Sequence, residues 1–432
     1  MREPFSVYVH LPYCARRCPY CDFNSYVVHA IPEERYVETL DGEATLAASR
    51  APWASRPVAT VFFGGGTPSL FSPASFGQLL ETFDRRWGLQ ADAEITIEAN
   101  PGTLEGGGED KLRAFRAAGL NRLSFGAQSF HAQHLATLGR IHCAEETVSA
   151  FAAARRAGFD NVCCDLVYGV PGQTLEECER DVAIAIGLGV EHVSAYCLTY
   201  EEGTPLTGMM KAGLVNAAGE DTELAMFRRA REMLAAAGLR HYEVSNYARP
   251  GRECRHNLAY WTWRDYLGLG AGAHGFSSDV TGARMADRRV PGAAGERARE
   301  GGRSATNGAR AASGLQPGDD HAPRQAAWGR RYANIRLPEL YMSAASGAWH
   351  ASEESLSREM AMAEYLMVGL RLADGIDAGA FERLFAMKLA QAAPRIETFV
   401  ARGLLERSGP VVTLTPRGLE IADTVITQLA AG

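Results

Sequence analysis

Cys14, Cys18 and Cys21 stand in the stretch CARRCPYC with the spacing C-x3-C-x2-C. Thiolate is a soft ligand that suits zinc or an iron–sulfur cluster. A structural zinc ion usually closes a tetrahedron with four protein ligands, commonly from paired knuckles, and no second C-x2-C pair occurs downstream. A [4Fe-4S] cluster is normally held by four cysteines, so three would leave one iron open to an outside chelator. The amino and carboxylate groups of a methionine moiety can fill that vacancy. S-adenosylmethionine (SAM) held in this way has its sulfonium beside a reducible cluster, and one electron then cleaves it to a deoxyadenosyl radical.

A second chemical feature is Phe63-Gly64-Gly65-Gly66-Thr67-Pro68-Ser69, where three glycines let the backbone approach a ligand closely. The other six cysteines, Cys143, Cys163, Cys164, Cys178, Cys197 and Cys254, lie scattered in apolar or helical stretches. Buried free cysteine behaves as a small hydrophobe, so these read as packing residues and a disulfide framework is not expected.

The elements that must position this chemistry alternate with a regular beat. Short β-branched or aromatic runs at 7–11, 58–63, 94–99, 122–127, 161–169 and 192–200 are separated by helix-period segments near 33–49, 73–86, 109–118, 131–138, 145–157 and 174–187. Such βα units feed a parallel sheet. The polar and glycine clusters follow the strands, where ligands gather in parallel α/β proteins. The expected fold class is α/β, a partial (β/α)6 barrel with an additional region and a C-terminal winged-helix-like domain. The expected divisions are a core barrel over 1–200, an extension over 201–278, a disordered insertion over 279–330, and a helical, winged-helix-like domain over 331–432. A helix near 222–238 and an aromatic, glycine-rich stretch from Tyr242 to Phe276 occupy the extension. Residues 279–330 are rich in Ala, Gly, Arg and Ser with almost no Leu, Ile or Phe, too little apolar surface to offset chain entropy; order is expected to resume near Tyr332. The last portion, 352–432, is expected to open with an amphipathic helix and to end with a β-hairpin and a helix. Its few basic residues point to packing rather than to DNA.

The chain has 432 residues, 46% hydrophobic and 22% charged, with a formal charge of -7, so nothing draws it generally to phosphate backbones and no nucleic acid is expected as a partner. Its first residues, MREPFSVYVHLPY, lack the apolar run of a secretory signal, and no window approaches 18 uninterrupted apolar residues; a cytoplasmic location is expected. The sequence is compatible with a monomer or a dimer.

Further motifs follow in order: EANP (98–101), RLSFGAQSF (122–130), LGRIH (138–142) and DLVYGVPGQT (165–174). With the cluster and glycine motifs, the series resembles radical SAM proteins, more narrowly the anaerobic coproporphyrinogen III oxidase family, and within it the HemW subfamily of haem chaperones. The resemblance covers nearly the whole chain apart from 279–330. It implies that Tyr8 and the backbone at Tyr20 lie close to the cluster, and that Gly65, Gly66 and Thr67 receive the methionine end of SAM. Glu98, Gln128, Arg140 and Asp165 would surround the rest of that cofactor. A carboxylate can take a ribose diol, and an arginine can pair with the methionyl carboxylate.

Within the resemblance two activities compete. One is radical decarboxylation of coproporphyrinogen III; the other is haem binding and transfer to an acceptor, for which the family suggests a membrane-bound respiratory enzyme. The oxidases carry a further cysteine two positions after the cluster motif, where this chain has Phe23, and a long extension ahead of it, where this chain has thirteen residues. His256-Asn257-Leu258-Ala259-Tyr260-Trp261 matches the H-N-x-x-Y-W motif proposed for haem contact in HemW-like proteins. The resemblance therefore implies a haem chaperone with the cluster, SAM and haem as cofactors. It makes His256 the first candidate haem ligand and His274 the second. Tyr260, Trp261 and Trp263 would cover a porphyrin face.

Overall fold

The computed structural model describes residues 3–104, 108–278 and 327–430. Strand β1 (Phe5–Leu11) is followed by a small clamp of β2 (Tyr13–Cys14) and β3 (Tyr26–Val27). Then come β4 (Val58–Gly65), β5 (Leu89–Ala99), β6 (Arg122–Gln128), β7 (Val162–Tyr168) and β8 (His192–Cys197). The covering helices are α1 (Glu33–Ala48), α2 (Pro73–Trp87), α3 (Glu109–Ala117), α4 (Ala132–Thr137), α5 (Ala144–Arg156) and α6 (Leu175–Gly187). Local chemistry sets their starts. Ser72 caps α2 with proline at the next position, and Thr174 and Glu177 form a capping box on α6. Strand β7 reads as a nearly continuous apolar run because it is covered on both faces.

Strands β1, β4, β5, β6, β7 and β8 pair in parallel in that order. The sheet is an open barrel, and it is larger than the six expected strands. After α7 (Pro205–Lys211) and α8 (Glu220–Ala236), the Tyr242–Phe276 region contributes β9 (Arg240–Glu243), β10 (Asn246–Ala248), β11 (Tyr266–Leu269) and β12 (His274–Ser278), with α9 (Arg255–Trp261) between the pairs. β11 runs parallel to β1 as a seventh parallel strand, while β10 lies antiparallel to β8 at the other side. β13 (Gly329–Asn334) and β14 (His350–Leu356) complete a sheet of twelve.

These last two strands correct the expected boundaries. Residues 279–326 of the expected insertion lie outside the described residues, but Gly329 and Arg330 already pair with Ser278 and Ser277. The segment 329–356 thus joins the barrel sheet rather than the C-terminal domain. Its strands are held by backbone pairing and carry few buried side chains, so they lack the apolar alternation that announces a strand.

The C-terminal domain begins with a helix over Arg358–Gly369, capped by Ser357. It continues with β15 (Ile376–Asp377), helices over Ala378–Phe385 and Ile396–Ala401, the hairpin β16 (Leu405–Ser408) and β17 (Val411–Leu414), and a final helix over Ala422–Ala430. Its core is shared with the barrel, since Trp263 and Phe276 are buried among its apolar residues. Arg228 of α8 is ion-paired to Glu420, and Ala373 N–H donates to Tyr242 C=O. The domain docks on the barrel through this common core.

Candidate functional site

The cysteine loop leaves the carboxyl end of β1 and is held at both ends. Tyr13 and Cys14 of β2 pair with Tyr26 and Val27 of β3, and the Asn24 amide donates to Ala271 C=O (3.0 Å) and Arg336 C=O (2.9 Å). Cys14, Cys18 and Cys21 are free and half-buried. Thr67 Oγ1 donates to Cys14 Sγ at 3.5 Å, and Arg140 Nη1 to Cys18 Sγ at 3.7 Å. Burial raises the Cys14 thiol, and burial together with Cys18 and Cys14 pushes Cys21 up to about 11. Among the described residues no three His, Cys, Asp or Glu side chains gather as one metal ion would require. Three cysteine thiols on one short loop are a donor set that fits a [4Fe-4S] cube with one iron left open. Bound iron supplies the cation that turns such thiols into thiolates.

The glycine run is stitched onto this loop. Gly66 N–H donates to Leu11 C=O and Thr67 N–H to Tyr13 C=O, while Gly65 N–H donates to Glu98 Oε2 at 3.1 Å. A Cβ on Gly66 would sit 2.6 Å from the Tyr13 carbonyl oxygen; one on Gly65, at φ +112°, would sit 2.5 Å from the His10 ring. What these two glycines admit is the protein itself, not a ligand as the motif suggested. With three N–H groups committed to the protein, what the glycine turn has left to offer a ligand is carbonyl oxygen, a polarity that fits an ammonium group.

Arg140 and Gln128 meet above the end of β6. Arg140 Nη2 donates to Gly126 C=O at 2.7 Å, and Arg140 Nε is buried without a partner. Gln128 sits at a strand irregularity with φ +66°, a strained conformation for a residue with a side chain, of the kind that collects at functional sites. Tyr20 packs on Leu138, Leu198 and Leu206 beside Arg140, and burial raises its hydroxyl. A small cleft joins Cys18, Thr67 and Arg140.

Below this rim lies a chamber of about 220 Å³ that includes Tyr8, Glu98, Asp165 and His256 in its wall. Tyr8 Oη is bonded to His10 Nδ1, and His10 Nε2 to Asn24 C=O, a chain that ends on the cysteine loop. Burial, then the neighbouring Asp165, pushes Glu98 up to about 7. Burial also raises Asp165, against hydrogen bonds from Cys163, Ser194 and Ser124. Two carboxyls that face one space and resist ionising together are poised for a cationic ligand or a diol. The structure thus brings the expected residues into two layers, one at the rim and one inside the barrel.

His256 lines the same chamber, but both of its ring nitrogens are held by the protein. It sits at the amino-terminal end of α9, which closes the barrel floor, where Glu94 accepts from the N–H groups of Arg255 and His256. Its Nδ1 is bonded to Thr60 Oγ1 (2.7 Å) and its Nε2 to Tyr260 Oη (2.8 Å); burial lowers it to about 3. An iron could take Nε2 only by displacing Tyr260. The expected aromatic cover is also dispersed. Trp263 is buried against Phe276 and Phe385, Trp261 lies under Arg371, and Tyr260 packs edge-on to Tyr266. His274 is exposed at the rim beside Arg336; partial burial of its ring, then Arg336, lowers its pKa.

Sequence reasoning passed over several interior groups: Arg122, Thr96, Ser124 and Ser194, and a Cys163–His192 contact of 2.9 Å. The signal was present as alternation. In EITIE, RLS and HVS every second residue is polar, and it is this set that faces the barrel interior.

The radical SAM superfamily model matches residues 8–184, and the HemN C-terminal domain model matches 356–421. The chain is 43% identical over 273 residues to the heme chaperone HemW of Escherichia coli K12, covering 63% of this chain and 70% of that protein. It is 34% identical over 435 residues to the heme chaperone HemW of Mycobacterium tuberculosis H37Rv, covering 99% of this chain and 95% of that protein. The solved structure of the E. coli coproporphyrinogen III oxidase HemN, a radical SAM enzyme, is similar with a TM-score of 0.74 at 20% identity over 99% of this chain and 90% of that one, a likeness of fold. With cysteine loop, glycine turn and open barrel in these relative positions, the chain belongs to the radical SAM superfamily and, within it, to the HemW family.

Proposed function

We propose that this chain is a haem chaperone, which binds a [4Fe-4S] cluster, SAM and haem and passes haem to an acceptor protein. The observation that carries the reading is the end-to-end match to proteins named heme chaperone HemW, at 34% identity over 99% of the chain. The family implies a [4Fe-4S] cluster and SAM. Cys14, Cys18 and Cys21 would hold the cluster. Gly65, Gly66 and Thr67 would receive the amino end of SAM, Arg140 and Gln128 its carboxylate side, and Tyr8, Tyr20, Glu98 and Asp165 the remainder. When bound, the cluster would supply an electron for SAM cleavage, and the residues named here would orient the cofactor.

The chamber supports placing haem outside the barrel. Its wall, with Glu98, Arg122, Ser124 and Asp165, is polar and charged and offers a porphyrin face little apolar cover. Around the cysteine loop, by contrast, Phe23, Val27 and Val28 are exposed, 61% in the case of Phe23, and offer an apolar surface for a porphyrin face. His274 at the same rim has an accessible ring for the iron, with Arg336 nearby for a propionate, so we assign the haem ligand there rather than at His256. Among the described residues no helix is long and apolar enough to cross a membrane. A cytoplasmic location and a membrane-bound respiratory acceptor remain part of the proposal.

The test uses anaerobically reconstituted protein. It should bind SAM and haem and leave coproporphyrinogen III unconverted under reducing conditions; turnover of that substrate would replace the chaperone reading with the oxidase one. His274→Ala should shift the Soret band of bound haem while His256→Ala leaves it in place, and the opposite pattern would return the ligand to His256.

A further inference from the structure

The floor of the barrel carries a charge that nothing in the described protein closely balances. Arg122 opens β6, is 2% exposed and lines the chamber. Among the described residues its hydrogen bonds run only from Nη1, to Asn161 Oδ1 (2.7 Å) and Arg252 C=O (3.2 Å), and no carboxylate lies within salt-bridge distance. Glu94 and Asp165 are near enough to act on it electrostatically. Both are otherwise engaged, Glu94 by the first N–H groups of α9 and Asp165 by Ser124 and Cys163. A guanidinium keeps its charge at every physiological pH, and a buried charge without a close partner is costly.

A second unpartnered group stands beside it. Thr96 is the register partner of Arg122 on β5, is fully buried, lines the same chamber, and its hydroxyl has no hydrogen-bond partner among the described residues. Asn257 of the H-N-x-x-Y-W segment lines that wall too.

We infer that the barrel floor is a binding site for a small carboxylic acid, held by Arg122 Nε and Nη2 with the Thr96 hydroxyl. The side of a guanidinium presents two parallel donors spaced for the two oxygens of a carboxylate. A single buried cation suits a monoanion; a phosphate dianion would need more positive charge than a chamber shared with Glu98 and Asp165 provides. Depth separates this ligand from haem. Arg122 begins a strand whose other end, Gln128, is at the rim, six residues or about 20 Å away, beyond the reach of a propionate arm from a porphyrin resting outside. The H-N-x-x-Y-W segment then serves as the base of this chamber.

The test is calorimetric titration of the cluster-reconstituted, SAM-saturated full chain with sodium propionate, with propionamide as the neutral isostere. Propionate should bind saturably and propionamide should not. Arg122→Gln should weaken binding at least about tenfold, the loss of a hydrogen bond to a charged group, and Thr96→Val by about three- to tenfold. Thr96→Val is nearly isosteric, so it decides the matter if Arg122→Gln does not fold. Prior saturation with haem should leave the propionate titration unchanged. Absence of saturable binding, equal binding of the amide, wild-type affinity in a folded variant, or displacement of propionate by haem would each overturn the inference.

Discussion

The pH dependence of SAM binding should expose the charge state of Glu98. Burial and the facing Asp165 push its carboxyl up to about 7, and among the described residues its one donor is the Gly65 N–H at 3.1 Å. A carboxylate accepts hydrogen bonds from a ribose diol and attracts a sulfonium; the neutral acid does neither as well. A group with a pKa near 7 is about one-eleventh ionised at pH 6 and about ten-elevenths at pH 8, so affinity carried by the ionised form should rise about tenfold between them, equivalent to about 1.4 kcal/mol. The sign is fixed because ionisation of an acid increases with pH. Asp165 titrates in the same space, so the midpoint belongs to the pair. Equilibrium dialysis of labelled SAM against reconstituted protein at pH 6, 7 and 8 measures it, and Glu98→Gln should flatten the profile near its acid limit. An affinity independent of pH in the native protein, or a Glu98→Gln profile that keeps the full slope, would refute the assignment of Glu98 to SAM.

Two further substitutions probe the scaffold. Gly66→Ala places a methyl group 2.6 Å from the Tyr13 carbonyl, against backbone that cannot swing aside, so iron and sulfide content after reconstitution should fall well below wild type while far-UV circular dichroism is kept. Asp265→Ala leaves Arg56 without its buried ion pair and Ser278 without its acceptor; chemical denaturation should show a loss of about 3–5 kcal/mol.

Much of the fold was written in patterns of period two and 3.6. The six strands and six helices of the barrel core fall within a few residues of their sequence positions, because parallel strands such as Val162–Tyr168 are apolar on both faces and helices such as Pro73–Trp87 and Leu175–Gly187 carry explicit caps. β9 to β14 were not legible. They are short or solvated, and Arg330 and Arg331 take their strand conformation from backbone pairing with β12 and β14 rather than from side-chain burial. The cysteine loop was legible because ligand spacing is local chemistry. His256 was harder to place, since a histidine among aromatics reads alike whether it faces a ligand or bonds to Thr60 and Tyr260. Arg122 went unread as a polar residue at the start of an apolar strand, because a strand's inner face in a barrel can be a wet one.

The fastening of the cysteine loop has a consequence for the order in which a ribosome delivers the chain. Asn24 is anchored to the carbonyls of Ala271 and Arg336, residues made 247 and 312 positions later. While the first half of the polypeptide is emerging, its three thiols have no finished cradle. A scaffold protein carrying a preformed inorganic cofactor would find a rigid recipient only near the end of translation.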